Sequence, residues 1–249
     1  GNFIFRTIEF EQMEHQWFCK EGTDQEYYAE YKKRAWQFLL DLGFKEEHLR
    51  FHDHDKLAHY AKAACDIQYD FPMGWSELNG IHNRTDYDLS RHQEYSGKSM
   101  TYVDPVTQER YIPYVIEYSI GADRLMLATL SEAYDEETLE NGEVRNVMRF
   151  HPAIAAYKAA VLPLQKGLAP QAKELLQKLK KRFLVTYDEA GSIGKRYRRQ
   201  DEIGTPYCLT VDFDTLQDGT VTVRDRDTME QVRMTADEVV AFLAEKCAF

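Results

Sequence analysis

The sequence predicts a mixed α/β (α+β) protein built of two modules. Three observations carry that reading. Apolar residues recur with strand period and with helix period in alternation along the 249 residues. A polar, turn-rich stretch, DEETLENGEVRN followed by His151-Pro152, interrupts the pattern around residues 135–152. The charge is also unevenly divided. Residues 1–150 hold 16 Lys/Arg against 28 Asp/Glu, and the rest hold 15 against 14, within a net charge of −11. The boundary is expected to separate residues 1–149 from residues 150–249.

Residues 3–19 read as one long strand. Thr23 and Glu26 form the T-x-x-E pattern of a capping box. Tyr28, Tyr31, Ala35, Phe38, Leu39 and Leu42 follow at helical spacing, with Gly43 as the stop. Residues 59–70 fit helix or strand. Residues 76–82 and 111–119 fit strands, and 121–134 a helix. In the second module, AAVLPL (159–164) is a short apolar strand. Ala172, Leu175, Leu176, Leu179 and Phe183 make one helical face. LVTYDEAG and YCLTVDF read as strands, Asp218-Gly219 as a hairpin signal, and Thr235 with Glu238 as the cap of a last helix. Together these make a compact α/β domain of about 100 residues.

Hydrophobic content of 43% and aromatic content of 13% allow a substantial core. No apolar stretch approaches the roughly 20 residues that span a bilayer, so no membrane partner is expected. Cys19, Cys65, Cys208 and Cys247 are scattered without zinc spacing. The histidines show no paired ligand spacing, and no bound metal is expected. Reduced, mostly buried thiols fit a cytoplasmic protein. The acidic total argues against indiscriminate DNA binding but leaves room for a local basic patch. The sequence opens on Gly and runs directly into strand-like residues, which reads as a segment of a longer protein.

Three stretches put charge where a strand should be apolar. EFEQMEHQWF (9–18) carries Glu9, Glu11 and Glu14, with Glu14 on the opposite strand face from the other two. Carboxylates on both faces are costly unless they are solvated or bind something. GWSELNGIHNRTDYDL (74–89) interleaves Glu77, Arg84, Asp86 and Asp88 with apolar residues; structural ion pairs and a binding site both fit that spacing. In YVIEYSIGADR (114–124), Glu117 and Ser119 share one strand face. Arg124 falls in the first turn of the following helix, where a cation opposes the macrodipole, so it is expected to meet an anion or a carboxylate. In the second module GKRYRRQ gathers Lys195, Arg196, Arg198 and Arg199 around Tyr197. That composition suits single-stranded RNA, and a solvated helix start as well.

FRTIEFEQMEHQWF, AHYAKAACDIQYDFP, GWSELNGIHNRTDYDL, PYVIEYSIGADR and GKRYRRQDEIGTPYCLTVDFDTLQDGTVTVRDRDTMEQVR resemble glycyl-tRNA synthetase of the dimeric class II type, in order and over nearly the whole chain. The resemblance implies the later part of an antiparallel class II catalytic sheet with helices, followed by a mixed-sheet anticodon-binding domain. It implies ATP-dependent activation of glycine, transfer to tRNA(Gly), Mg²⁺ accompanying the ATP, and a homodimer in the full-length protein. It assigns Glu14, Arg84, Glu117 and Ser119 to the glycine pocket. It assigns Arg6, Glu77 and Arg124 to ATP, with Arg6 and Arg124 also catalytic. Glu9 and Glu11 are read as facing away from the pocket. Lys195, Arg196, Arg198, Arg199 and Arg224, with Arg226, become candidates for the anticodon side. Against the family's pattern, Ile8 stands in place of an arginine, Tyr118 in place of the proline of E-P-S, and His82 in place of a small residue. AAYK at 155–158 departs from A-P-x-K. The first two class signatures, with the arginine that contacts the ATP α-phosphate, are not in this sequence. The segment alone is therefore expected not to form glycyl-adenylate at a normal rate. The rival expectations are a non-catalytic synthetase-like binding protein and a tRNA-binding module.

Overall fold

The structure, a computed structural model, describes residues 3–249. It is mixed α/β and divides into two compact units, residues 1–131 and 132–249.

In the first unit, β1 (Gln12–Cys19) is followed by α1 (Asp24–Asp41), β2 (Leu49–Asp53), β3 (Ala63–Phe71) and β4 (Gly74–Asn83). Then come α2 (Tyr87–Ser96), the short pair β5 (Tyr102–Val103) and β6 (Arg110–Tyr111), β7 (Tyr114–Gly121) and α3 (Ala122–Ala133). Five strands form one antiparallel sheet in the order β1-β7-β4-β3-β2. The apolar stripe of α1, with Tyr28, Ala35 and Leu39 buried, packs with Ile67, Ile81, Ile116 and Ile120 in a core on one face of the sheet. Removing that apolar area from water is the main stabilising term. The opposite face, over β1, β7 and β4, carries the charged residues.

Two local readings are corrected here. The long strand begins only at Gln12; Phe3–Phe5 is a 3₁₀ turn. Phe5 leaves the strand line to pack edge-on against Phe71, with ring centroids 5.0 Å apart. Thr23 does not cap α1. Its hydroxyl donates to the Lys20 carbonyl at 2.7 Å. The helix start is held instead by the buried Asp24 carboxylate, which accepts from Gly22 N (3.0 Å), Lys62 Nζ (2.8 Å) and Asn83 Nδ2 (2.7 Å). Gly43 ends the helix at φ +95°, a conformation that costs glycine least. The ambiguous 59–70 stretch becomes β3, because its alternation places Cys65, Ile67 and Tyr69 in the core.

The second unit opens with the hairpin β8 (Tyr134–Thr138) and β9 (Val144–Met148). The polar stretch expected to divide the modules is thus structured, and the division falls between Ser131 and Glu132 rather than at 149/150. Arg145, fully buried on β9, explains the hairpin's allegiance: it reaches Asp201 much later in the same unit. The chain continues through β10 (Ala159–Pro163), α4 (Ala169–Leu179), β11 (Val185–Tyr187), α5 (Ile193–Glu202) and β12 (Tyr207–Val211). It ends with α6 (Thr215–Asp218), β13 (Thr220–Asp225), β14 (Gln231–Thr235) and α7 (Ala236–Lys246). The sheet order is β11-β10-β12-β13-β14, parallel across the first three strands and antiparallel across the rest. Residues of α4 and α7 build the core on one face. Ile193 and Tyr197 of α5 cover Ala160, Leu162 and Cys208 on the other. Asp218-Gly219 is not a hairpin turn: Asp218 ends α6 and Gly219, at φ +70°, terminates it. The hairpin is β13–β14, whose turn carries Met229 at φ +60°. Thr235 and Glu238 do form a capping box on α7.

Among the described residues, no helix is long and apolar enough to cross a membrane, and no group of three or more His, Cys, Asp or Glu is placed to hold a metal ion.

Candidate active site and basic surface

Strand register brings the charged residues together. Glu14, Ser119 and Gly80 lie abreast on β1, β7 and β4, and Gln16, Glu117 and His82 lie abreast one row along. Residues directly opposite in an antiparallel sheet share a face, so both rows project from the same side. Glu117 is buried, an expensive place for a carboxylate unless it is paired. It accepts from Arg84 Nη1 at 3.0 and 3.1 Å and from Gln16 Nε2 at 3.1 Å. His82 Nδ1 lies 3.6 Å from it, just beyond hydrogen-bond reach. His82 first, then Arg84, holds the Glu117 carboxyl below the usual carboxylate range against the opposing effect of burial. The acid is therefore kept ionised.

Arg84 sits just past β4, where its backbone N–H donates to Val115 O. Its guanidinium is fixed three ways: to Glu117, to Asp88 of α2 (2.8 Å), and over the Tyr60 ring at 4.5 Å. The Asp88 bond foremost, with Glu117, raises its already high pKa despite burial. Glu14, Arg84 and Glu117 line a cavity of about 350 Å³ with Gln16, Phe18 and Asp88. Glu14 is exposed and accepts from Gln12 Nε2 at 2.8 Å.

A second cavity of about 230 Å³ is lined by Arg6, Glu77, Ser119 and Arg124. Arg124 projects from the start of α3, and its carboxylate partner is Glu77, at 3.2 Å. The same guanidinium donates to the Glu77 and Phe5 carbonyls (3.0 and 3.3 Å) and lies over the Phe5 ring. Arg6 is exposed. Ser119 belongs to this cavity's lining and Glu14 to the other's, although their backbones are paired. Glu11 is exposed and outside the first cavity but lines the second; it lies before the strand begins, so strand alternation does not govern it. Asp88, one of the charges that stand out in the 74–89 stretch, is the ion-pair partner of Arg84, as their four-residue spacing allows. Nothing in the sequence singles out Gln16 or Tyr60, which reach the site only through strand register and loop packing.

The basic cluster of the second unit divides by burial. Arg196 is buried, and its guanidinium donates to the carbonyls of Pro163 and Gly191 (2.7 Å to the latter). Arg224 is buried, paired with Asp201 at 2.9 and 3.2 Å and lying over Tyr197. Arg226 is buried too, donating to the Gly204 and Phe150 carbonyls. These three hold the interior together and offer RNA no surface, a correction to their candidacy. Arg199 is half-exposed and tied to Asp188 at 2.5 Å. Arg198 is partly exposed, and Lys195 is exposed on the outer side of α5.

Residues 158–246 match the anticodon binding domain family. Over its whole length the chain is 61% identical, across 251 residues, to the glycine–tRNA ligase of Clostridium kluyveri, covering 54% of that protein. It is 60% identical across 251 residues to the one from Geobacillus kaustophilus, again over 100% of this chain and 55% of the relative. The chain matches glycine–tRNA ligases over its whole length. It spans about half the length of the curated relatives it matches. The crystal structure of the RNA binding domain of threonyl-tRNA synthetase from Cryptosporidium parvum Iowa II superposes with a TM-score of 0.71 at 17% identity, covering 95% of this chain and 64% of that one. That likeness is one of fold alone. The chain carries two paired-strand cavities side by side in one unit, and in the other the segment that matches the anticodon binding domain family.

Proposed function

We propose that this chain is the amino-acid- and nucleotide-binding part, together with the anticodon-binding part, of a class II glycine–tRNA ligase. Glycine and ATP give glycyl-adenylate and pyrophosphate, and the glycyl group then passes to the 3′ end of tRNA(Gly). The observation that supports this best is an ionised, buried Glu117 held by Arg84 beside Glu14, in a chain about 60% identical to glycine–tRNA ligases. Carboxylates in a partly desolvated cavity bind an ammonium through charge-assisted hydrogen bonds. Glu14 and Glu117 take that role, with Ser119 beside them. Arg84 Nη2 takes part in neither the Glu117 nor the Asp88 bond and meets the substrate carboxylate.

Arg6, Glu77 and Arg124 serve ATP. The two arginines balance charge developing on the phosphates as the glycine carboxylate attacks. Mg²⁺ enters with the nucleotide as part of the substrate. It keeps several waters and needs only one or two carboxylates, which suits the half-exposed Glu77 at the cavity. Displacement at the α-phosphate then rests on positioning and charge stabilisation, with no covalent enzyme intermediate. In the second unit, Lys195 and Arg198, with the outer side of Arg199, serve the anticodon side. The full-length enzyme acts as a cytoplasmic homodimer.

Isothermal titration of the chain with glycine tests the site. The Glu117→Gln variant is expected to lose at least about tenfold in affinity, as removal of a charged partner does. A non-catalytic reading leaves Glu117 and Arg84 as a structural pair. It requires that glycine not bind, or bind equally well to both chains.

A further inference from the structure

Resting on that reading and deepening it, we infer that His82 is a specificity-determining residue of the amino-acid site, its ring filling the space that a side chain on the bound amino acid would need. The register sets His82 beside Glu117, and Gly80 beside Ser119. The imidazole does not stand out from β4; it lies along the strand over Gly80. A Cβ built on Gly80 would come 2.7 Å from His82 Cε1, 3.4 Å from Nε2 and 3.5 Å from Nδ1. The glycine is thus needed for the close approach of a ring.

The ring is braced on its far side, edge-on to His54 at 6.2 Å between centroids, and His54 Nε2 is itself bonded to Asp66 Oδ2 at 2.8 Å. On its near side Nδ1 is 3.6 Å from Glu117 and has no hydrogen-bond partner. An ammonium bound on the side of Glu117 that faces His82 lies beside the imidazole. A substrate that also reaches Arg84, itself bonded to Glu117, carries its α-carbon past the same ring. A hydrogen on that carbon clears it and a methyl group collides. Excluding the larger substrate by collision is selection against the competitor, not tighter hold on the right one.

The test titrates glycine and then L-alanine and D-alanine into the chain and into the His82→Ala and His82→Gln variants. The chain is expected to bind glycine and to bind both alanines far more weakly. His82→Ala is expected to raise alanine binding relative to glycine by about tenfold or more, the scale of one methylene in a fitted pocket. His82→Gln, which keeps length and polarity, is expected to keep the original ratio. An unchanged ratio in His82→Ala overturns the inference while glycine binding stands. Loss of all binding in His82→Ala with normal binding in His82→Gln also overturns it, because the ring would then position the site without selecting. Failure of the unaltered chain to bind glycine overturns the functional reading itself, and this inference with it.

Discussion

Two carboxylates show how this chain manages buried acid. Glu117 is pushed up by burial and down by His82 and Arg84, and the downward effect wins. Asp212 is less enclosed and more strongly bound: Arg233 grips both of its oxygens at 2.7 and 3.1 Å, and Thr215 and Thr222 add further hydrogen bonds. Arg233 foremost, these contacts lower its pKa from 3.8 to about 2. A carboxylate with a depressed pKa stabilises the folded state fully above its unfolded value and loses that contribution as pH falls through its folded value. Asp212→Asn is expected to destabilise the second unit by about 1–2 kcal/mol at pH 7, with the partial exposure of Arg233 discounted. The gap between variant and parent should narrow between pH 4 and pH 2. Urea unfolding at stepped pH reads this directly, and a gap that stays constant down to pH 2 refutes it. Such acids are legible in the sequence as charges among apolar strand residues. Their partners are not, because Arg84, Gln16 and His82 meet Glu117 only through strand register.

At the scale of single elements, the same T-x-x-E pattern has opposite outcomes. Thr235 accepts from Glu238 N while Glu238 accepts from Thr235 N, completing the box on α7. Thr23 turns its hydroxyl to the Lys20 carbonyl, and Asp24 takes over the start of α1. Burial opposes the charge on Asp24, but Lys62, Asn83 and the Gly22 N–H outweigh it and hold the carboxyl low. Thr235→Ala is therefore expected to cost about 1 kcal/mol, and Thr23→Ala only a few tenths. Asp24→Ala should cost about 2–3 kcal/mol, because it leaves the buried Asn83 amide without its acceptor. Equal losses at Thr23 and Thr235 in thermal melts would contradict the assignment. Helices with a strong apolar stripe, such as Ala172, Leu175, Leu176 and Leu179 of α4, were legible because one stripe meets one core. Residues 3–11 were misread because composition alone does not tell an edge strand's run-in from the strand itself: only the pairing of β1 with β7 marks where it begins.

For the molecule as a whole, the sequence-level boundary failed for a reason that makes its own prediction. A polar stretch reads as a linker when its charges are assumed to face water. Here the hairpin turns Arg145 inward, with no exposure, onto Asp201 (2.9 Å), Glu137 (2.7 Å) and the Arg226 carbonyl, while Arg224 holds the other side of Asp201. The local partner Glu137 does not reveal that, since the buried partner Asp201 lies on α5. Breaking a buried ion pair from one side leaves charge without its counterpart and costs about 3–5 kcal/mol. Arg145→Met is expected to lower the stability of the second unit by about that much. Because Asp201 joins β9, α5 and β13 at one point, the loss should not be confined to the hairpin. Hydrogen exchange is expected to show the amides of β8 and β9 losing protection together with those of α5 and β13. A hairpin that opens alone, with α5 and β13 as protected as before, would mean that Arg145 pins a surface flap and that the hairpin is an appendage of the unit.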